Sequence, residues 1–206
     1  MRRIFAATLA GLFMAGTARA EILVEGDAEA GKAKSITCAA CHGTDGNSVN
    51  PEWPSIAGQH ALYSYEQLMA FKNGTRINAL MLGQVMMLSD EDMRNLAVYY
   101  AGMEAAAQPV ANPSLVDRGA RLYRGGDREE NVAACIACHG PTGRGNPASS
   151  VPSVSGQYAV YTAAQLRAYA DGARRSDGPT RVMRDIASRL SEEDILALAS
   201  YMQGLY

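Results

Sequence analysis

The chain of 206 residues holds four cysteines and three histidines, and their spacing puts nearly all of them in two places. Cys38-Ala39-Ala40-Cys41-His42 and Cys135-Ile136-Ala137-Cys138-His139 each set two thiols three positions apart, with an imidazole directly after the second. Two thiols so spaced can add to the two vinyl groups on one edge of a porphyrin, while the adjoining histidine turns inward to ligate the iron. A lone Cys-X-X-Cys would also suit a thioredoxin-like redox pair or half a zinc site. Neither explains a histidine after both pairs. A zinc site needs further ligands, and the only other histidine is His60. The motifs therefore predict two covalently bound haem c groups, held by Cys38, Cys41, Cys135 and Cys138, with His42 and His139 as proximal iron ligands.

The second ligand of each iron must come from elsewhere, and one spare histidine cannot serve both. Methionine is the natural alternative, because a soft thioether stabilises ferrous iron and raises the potential. An internal repeat selects among the ten methionines. The motifs lie 97 positions apart, and Pro54-Ser55-Ile56-Ala57-Gly58-Gln59 matches Pro152-Ser153-Val154-Ser155-Gly156-Gln157 at an offset of 98. Tyr63, Gln67, Leu68 and Gly74 match Tyr161, Gln165, Leu166 and Gly172 in the same register, and the offset then grows to 102 at Leu88 and Leu190. Four residues are thus inserted in the second copy's loop. That loop holds one methionine, Met183, seven residues before Leu190; seven residues before Leu88 is Met81. Met81 and Met183 are the expected distal ligands, with Met86 and Met87 as competitors in the first loop. Met69, Met93 and Met202 sit at helical spacing among apolar residues and read as core.

Pro54 and Pro152 follow their haem histidines by 12 and 13 residues and could stiffen a loop whose carbonyl accepts the imidazole Nδ1 proton. Arg76 and Arg174 could pair with haem propionates or stand in solvent. His60 aligns with Tyr158, so it lies outside the duplicated site.

Elements that can place these groups are helical, without alternating strand patterns, and the fold class is all-α, one unit written twice. In the first half the pattern predicts helices over Asp27 to Ala40 and Ala61 to Asn73, and a third from Ser89 with Asp90, Glu91 and Asp92 in its first turn. Met93, Leu96, Ala97 and Tyr100 form its buried stripe. The second half predicts helices near Ser114 to Tyr123, Val160 to Asp171 and Ser191 to Gln203. The boundary falls between Gly102 and Asn112, giving units at 21–105 and 106–206. Units of this size lean on a bound group for their apolar centre.

Arg2 and Arg3 before the apolar run Ile4 to Met14, then Ala18-Arg19-Ala20, read as an export leader cleaved after Ala20. Without it the first unit carries 11 acidic and 5 basic side chains, a net of −6, and the second 10 and 11, a net of +1. This asymmetry steers charged partners. No concentrated basic patch appears, so nucleic acid is not an expected partner.

These features together closely resemble the dihaem cytochrome c4 family. The likeness extends to His42-Gly43-Thr44-Asp45-Gly46-Asn47-Ser48, Trp53 with the proline stretch after it, Leu122-Tyr123-Arg124-Gly125-Gly126 and Tyr201-Met202-Gln203-Gly204-Leu205-Tyr206. The resemblance implies two tandem cytochrome c class I domains related by a pseudo-twofold axis, with haem propionate edges facing across the interface, and His/Met ligation by His42 with Met81 and His139 with Met183. It implies a monomeric periplasmic electron carrier and not an enzyme, with some members loosely membrane-associated. Its donor would be a quinol-oxidising complex or another cytochrome, its acceptor a haem-copper terminal oxidase. An open distal site would instead suit a subunit of a sulfur-compound-oxidising enzyme, but each copy offers a methionine.

Overall fold

The computed structural model describes residues 23–205; the expected leader lies outside them. Ten α-helices and two short 3₁₀ turns account for the regular structure of these residues, and the only β pairing among them is isolated bridges. No helix among them is long and apolar enough to cross a membrane.

The first half runs α1 (Ala28–Lys34), α2 (Ile36–His42), α3 (Ala61–Lys72), α4 (Ala79–Val85) and α5 (Asp90–Ala101). Asp27 caps α1, its Oδ1 accepting from the backbone N–H groups of Glu29 and Ala30. The single helix expected from Asp27 to Ala40 is corrected here to two. Ser35 breaks it: its Oγ and its N–H both donate to the Lys32 carbonyl, at 2.8 and 3.2 Å, which closes a short turn in place of the α-helical ladder. Helix α3 ends at Lys72 and α5 starts after Ser89, as the pattern predicts. In α5 the Ser89 side chain accepts from the Asp92 N–H and the Asp92 carboxylate accepts from the Ser89 N–H, a complete capping box. Met93, Leu96, Ala97 and Tyr100 are buried as one stripe.

The second half repeats the plan with α6 (Val116–Gly125), α7 (Ile136–His139), α8 (Ala159–Ala170), α9 (Val182–Ala187) and α10 (Glu192–Gln203). Ser191 and Asp194 rebuild the capping box on α10. The core gathers Leu122, Tyr123, Leu166, Ile195, Leu198 and Met202 from three helices.

In each half the first helix crosses the last at a glycine. A Cβ on Gly31 would lie 2.2 Å from the Asn95 carbonyl oxygen, and one on Gly119 would lie 2.3 Å from that of Ala197. Only a residue without a side chain lets the backbones meet this closely, which offsets the helix propensity glycine forfeits.

The halves meet through reciprocal contacts, the mark of a twofold relation. Gln59 Nε2 donates to the Ser153 carbonyl at 2.9 Å, and Gln157 Nε2 donates to that of Ser55 at 2.8 Å. Arg76 donates to Gln67 of its own half and to Gln165 of the other; Arg174 donates to Gln165 of its own half and to Gln67 of the other. His60 Nε2 lies 2.7 Å from the Arg144 carbonyl oxygen, and its counterpart Tyr158 donates its hydroxyl to the Ser48 carbonyl at 2.6 Å. His60 is thus an interface residue. Between α5 and the 3₁₀ turn at Pro113–Leu115 the chain is pinned as it crosses: Asn47 Oδ1 accepts from the Ala106 N–H, and Gln203 Nε2 donates to the Pro109 carbonyl.

Candidate functional site

Helix α2 holds Cys38, Cys41 and His42 on consecutive turns, and the four-residue α7 does the same for Ile136 to His139 just after Cys135. Both imidazoles are buried. His42 Nδ1 lies 2.8 Å from the Pro54 carbonyl oxygen, and His139 Nδ1 lies 3.0 Å from that of Pro152. A carbonyl can only accept, so each ring carries its proton on Nδ1 and keeps the Nε2 lone pair for a metal. Burial lowers the pKa of both rings, with the proline carbonyls opposing it, and this favours the neutral imidazole that ligation requires. Burial likewise raises the Cys38 thiol and pushes Cys135 up to about 11. The four cysteines form no disulfide.

Met81 and Met183 sit on α4 and α9, two short helices that the periodicity did not reveal. Asn78 caps α4, its side chain accepting from the Met81 N–H at 3.0 Å. Met81 is half-buried, whereas Met86 and Met87 stand 54% and 88% exposed. Met183 packs against the second core cluster.

Arg76 and Arg174 are buried, which removes the solvent alternative. Each guanidinium lies 4.5 Å over an aromatic ring, Phe71 for Arg76 and Tyr169 for Arg174, and Tyr161 and Tyr63 add hydroxyl acceptors from the opposite half. Among the described residues neither arginine has a carboxylate partner. Two cations buried among neutral groups call for anions at this interface, and haem propionates are anions of the right kind. The buried hydroxyls of Tyr100 and Tyr201 are also without a protein partner. Among the described residues no three His, Cys, Asp or Glu side chains gather to hold a bare metal ion. The thiols, imidazoles and unmatched cations all fit haem c.

Two helical units, each offering paired thiols, an oriented buried imidazole and a methionine helix, define a two-domain c-type cytochrome. The family described as cytochrome c matches twice, at residues 28–103 and 116–206. Cytochrome c4 of Pseudomonas aeruginosa is 41% identical over 206 residues, covering all of both chains. The crystal structure of reduced recombinant cytochrome c4 from Pseudomonas stutzeri superposes with a TM-score of 0.86 at 41% identity, covering 88% of this chain and 100% of that one. The thiosulfate dehydrogenase electron acceptor of Thiomonas intermedia is 35% identical, covering 98% of this chain and 90% of its own. The chain belongs to the dihaem cytochrome c4 family, whose two domains bind covalently attached haem c.

The residue missed at the sequence level is the clamping glutamine. Gln59 and Gln157 were visible only as members of the repeat, and nothing local distinguishes an interface glutamine from a solvated one.

Proposed function

We propose that this chain is a periplasmic electron carrier that uses two haem c groups, one in each of units 21–105 and 106–206. Cys38 and Cys41 would hold the first haem and Cys135 and Cys138 the second, and His42 with Met81 and His139 with Met183 would ligate the two irons. The group supplies one-electron exchange between ferrous and ferric iron. The protein's part would be to hold each iron between a fixed histidine and a fixed methionine, so that little need rearrange on electron exchange.

The observation that carries this reading is the repeat itself: each half buries a histidine committed at Nδ1 to a proline carbonyl, and each distal loop carries a methionine on a short helix, capped at Asn78 in the first half and packed on the core in the second. With a methionine as the second ligand, neither iron would have an open position for substrate. Electrons enter from a quinol-oxidising complex or another cytochrome and leave to a haem-copper terminal oxidase. The exported monomer, freed of its leader after Ala20, works in solution or loosely on the membrane surface.

The sulfur-to-iron charge-transfer band of the oxidised protein tests the ligands. Met81→Ala and Met183→Ala should each remove about half of it, a fraction set by one of two equivalent bonds. A band of full strength in either variant overturns that assignment, and rapid carbon monoxide binding by the unaltered protein overturns the closed-site reading.

The likeness to a thiosulfate dehydrogenase electron acceptor supports a second reading, in which the donor is a sulfur-compound-oxidising enzyme. Reduction by a thiosulfate-oxidising enzyme with thiosulfate, measured beside reduction by a quinol-oxidising complex, separates the two donors.

A further inference from the structure

The carbonyl that accepts from each proximal histidine belongs to a peptide unit whose N–H points the other way, into the opposite domain. The Pro54 carbonyl shares its peptide with the Ser55 N–H, which donates to Gln157 Oε1 at 3.1 Å. The Pro152 carbonyl shares its peptide with the Ser153 N–H, which donates to Gln59 Oε1 at 2.9 Å. Each glutamine closes the grip by donating Nε2 to the carbonyl of the same serine, at 2.8 Å for Gln157 and 2.9 Å for Gln59. Two three-member chains result: His42 Nδ1–H to Pro54 C=O, then Ser55 N–H to Gln157, and the same for His139, Pro152, Ser153 and Gln59.

Hydrogen bonds in such a chain polarise one another. A peptide whose N–H is taken by a glutamine oxygen carries more negative charge on its own carbonyl oxygen and draws the imidazole proton more strongly. A histidine so held is a more basic ligand, and more basic ligands favour ferric iron. We infer that Gln157 and Gln59 are positioning residues that act across the domain interface, each tuning the proximal histidine, and hence the haem potential, of the other domain.

The arrangement is directional. Gln157 belongs to the second domain but addresses His42; Gln59 belongs to the first but addresses His139. The glutamine oxygens are held in place by a second backbone donor, Tyr158 N–H for Gln157 at 3.1 Å and His60 N–H for Gln59 at 3.0 Å, both at the N-terminal caps of their helices. Proline at the carbonyl position has no N–H and so offers no competing donor there.

The inference rests on His42 and His139 being the proximal ligands, and the test separates the two claims. Gln157→Met and Gln59→Met keep side-chain length and remove both amide bonds; Tyr158→Phe removes a different cross-domain bond as a measure of general loosening. The readouts are potentiometry of the dihaem protein and proton NMR of the histidine Nδ1–H signals in the reduced state. Gln157→Met should raise the potential of one redox step and move the His42 Nδ1–H signal to higher field. Gln59→Met should raise the other step and move the His139 signal. Tyr158→Phe should leave both steps and both signals in place.

Unmoved steps in both glutamine variants, or the same step moving in both, would overturn the relay. So would Tyr158→Phe reproducing the shifts, since these would then report domain loosening. Wild-type His42 and His139 signals lacking the large ring-current shift of a haem-bound imidazole would overturn the ligand assignment and the relay with it, whereas shifted signals with unmoved potentials overturn the relay alone.

Discussion

The two distal loops, residues 75–87 and 173–189, hang from the same scaffold and present opposite surfaces. The first exposes Ile77, Leu80, Leu82, Met86 and Met87, and its one charged residue, Arg76, is buried. The second exposes Arg175, Arg181 and Arg189 and is braced by a largely buried ion pair, Arg184 to Asp177 at 2.8 Å. The scaffold is duplicated: the glycine crossings, the capping boxes, the glutamine clamps, the buried arginines and the histidine–proline bonds. Inward groups are constrained by packing and by the haem, while outward groups answer only to a partner. The two domains are therefore one scaffold used twice behind two different surfaces.

If the scaffolds are equivalent, damage to them should be equivalent, and this carries the largest expected effect. Gly31→Ala and Gly119→Ala each drive a Cβ into backbone that can yield only by parting two helices. Each should cost about 1–3 kcal/mol, the range for overpacking a close-packed contact. Denaturant unfolding of the holoprotein should give losses within about 1 kcal/mol of each other; a near-neutral outcome at one site would break the equivalence of the two crossings.

How much of this was legible beforehand depended on how local the cause was. Helices α5 and α10 follow from apolar spacing and from Ser89 and Ser191 with their acids three residues on, and α3 and α8 from the register of the repeat and the glycines that end them, Gly74 and Gly172. The five-residue haem motifs are equally local. Helix α1 was drawn too long because Ser35 reads as neutral in a helix, and only its bonds to Lys32 show the break. Helix α9 gave no warning, since it starts from Arg181 at φ 55°, a left-handed residue with no capping side chain. Helix α4 did carry a signal in Asn78, three residues before Met81, but the seven residues after it, mostly apolar and broken by Gly83 and Gln84, are too few to show a period. The interface was out of reach: Arg76 and Gln165 are 89 residues apart, and an arginine after a helix-ending glycine looks the same whether it is buried or solvated.

The contrast between the docking faces sharpens into a kinetic prediction of intermediate size. With a net of −6 on one unit and +1 on the other, reduction by one partner and oxidation by the next should respond unequally to ionic strength between about 10 mM and 0.15 M, where the screening length falls from roughly 30 to 8 Å. Arg175→Glu with Arg181→Glu should alter the salt slope of the partner that docks on the second domain. Leu80→Gln with Met87→Gln should slow the other exchange and leave its slope alone. Stopped-flow rates at four or five salt concentrations measure both. Equal slopes for the two half-reactions of the unaltered protein would remove the idea of unlike faces.

The smallest effects lie at the capping boxes, where two copies of one motif differ in what grips the acid. Asp92 accepts from the Ser89 N–H and pairs with Lys34 at 3.1 Å, and these partners hold its carboxyl below the ordinary value. Burial works to raise Asp194, but the hydrogen bonds from Ser191 and Arg118, the latter at 2.6 and 2.9 Å, prevail and lower it. A carboxyl depressed in the folded state stabilises the fold fully above its unfolded pKa of about 3.9, and that contribution disappears as the pH falls through the depressed folded value. Ser89→Ala and Ser191→Ala should each cost about 1 kcal/mol at pH 7 by loss of the cap. Asp92→Asn and Asp194→Asn should instead flatten the fall in stability between pH 6 and pH 3, because the group that would be protonated is gone. Asp194→Asn should flatten it more, since a two-pronged arginine grip on a shielded carboxylate is screened less than a lysine contact at the surface. Denaturation midpoints at pH 6 and pH 3 decide this: an equal flattening would mean that Arg118 adds no more to its box than Lys34 adds to the other, and that the two domains match at the start of their last helices as closely as they do at the haems.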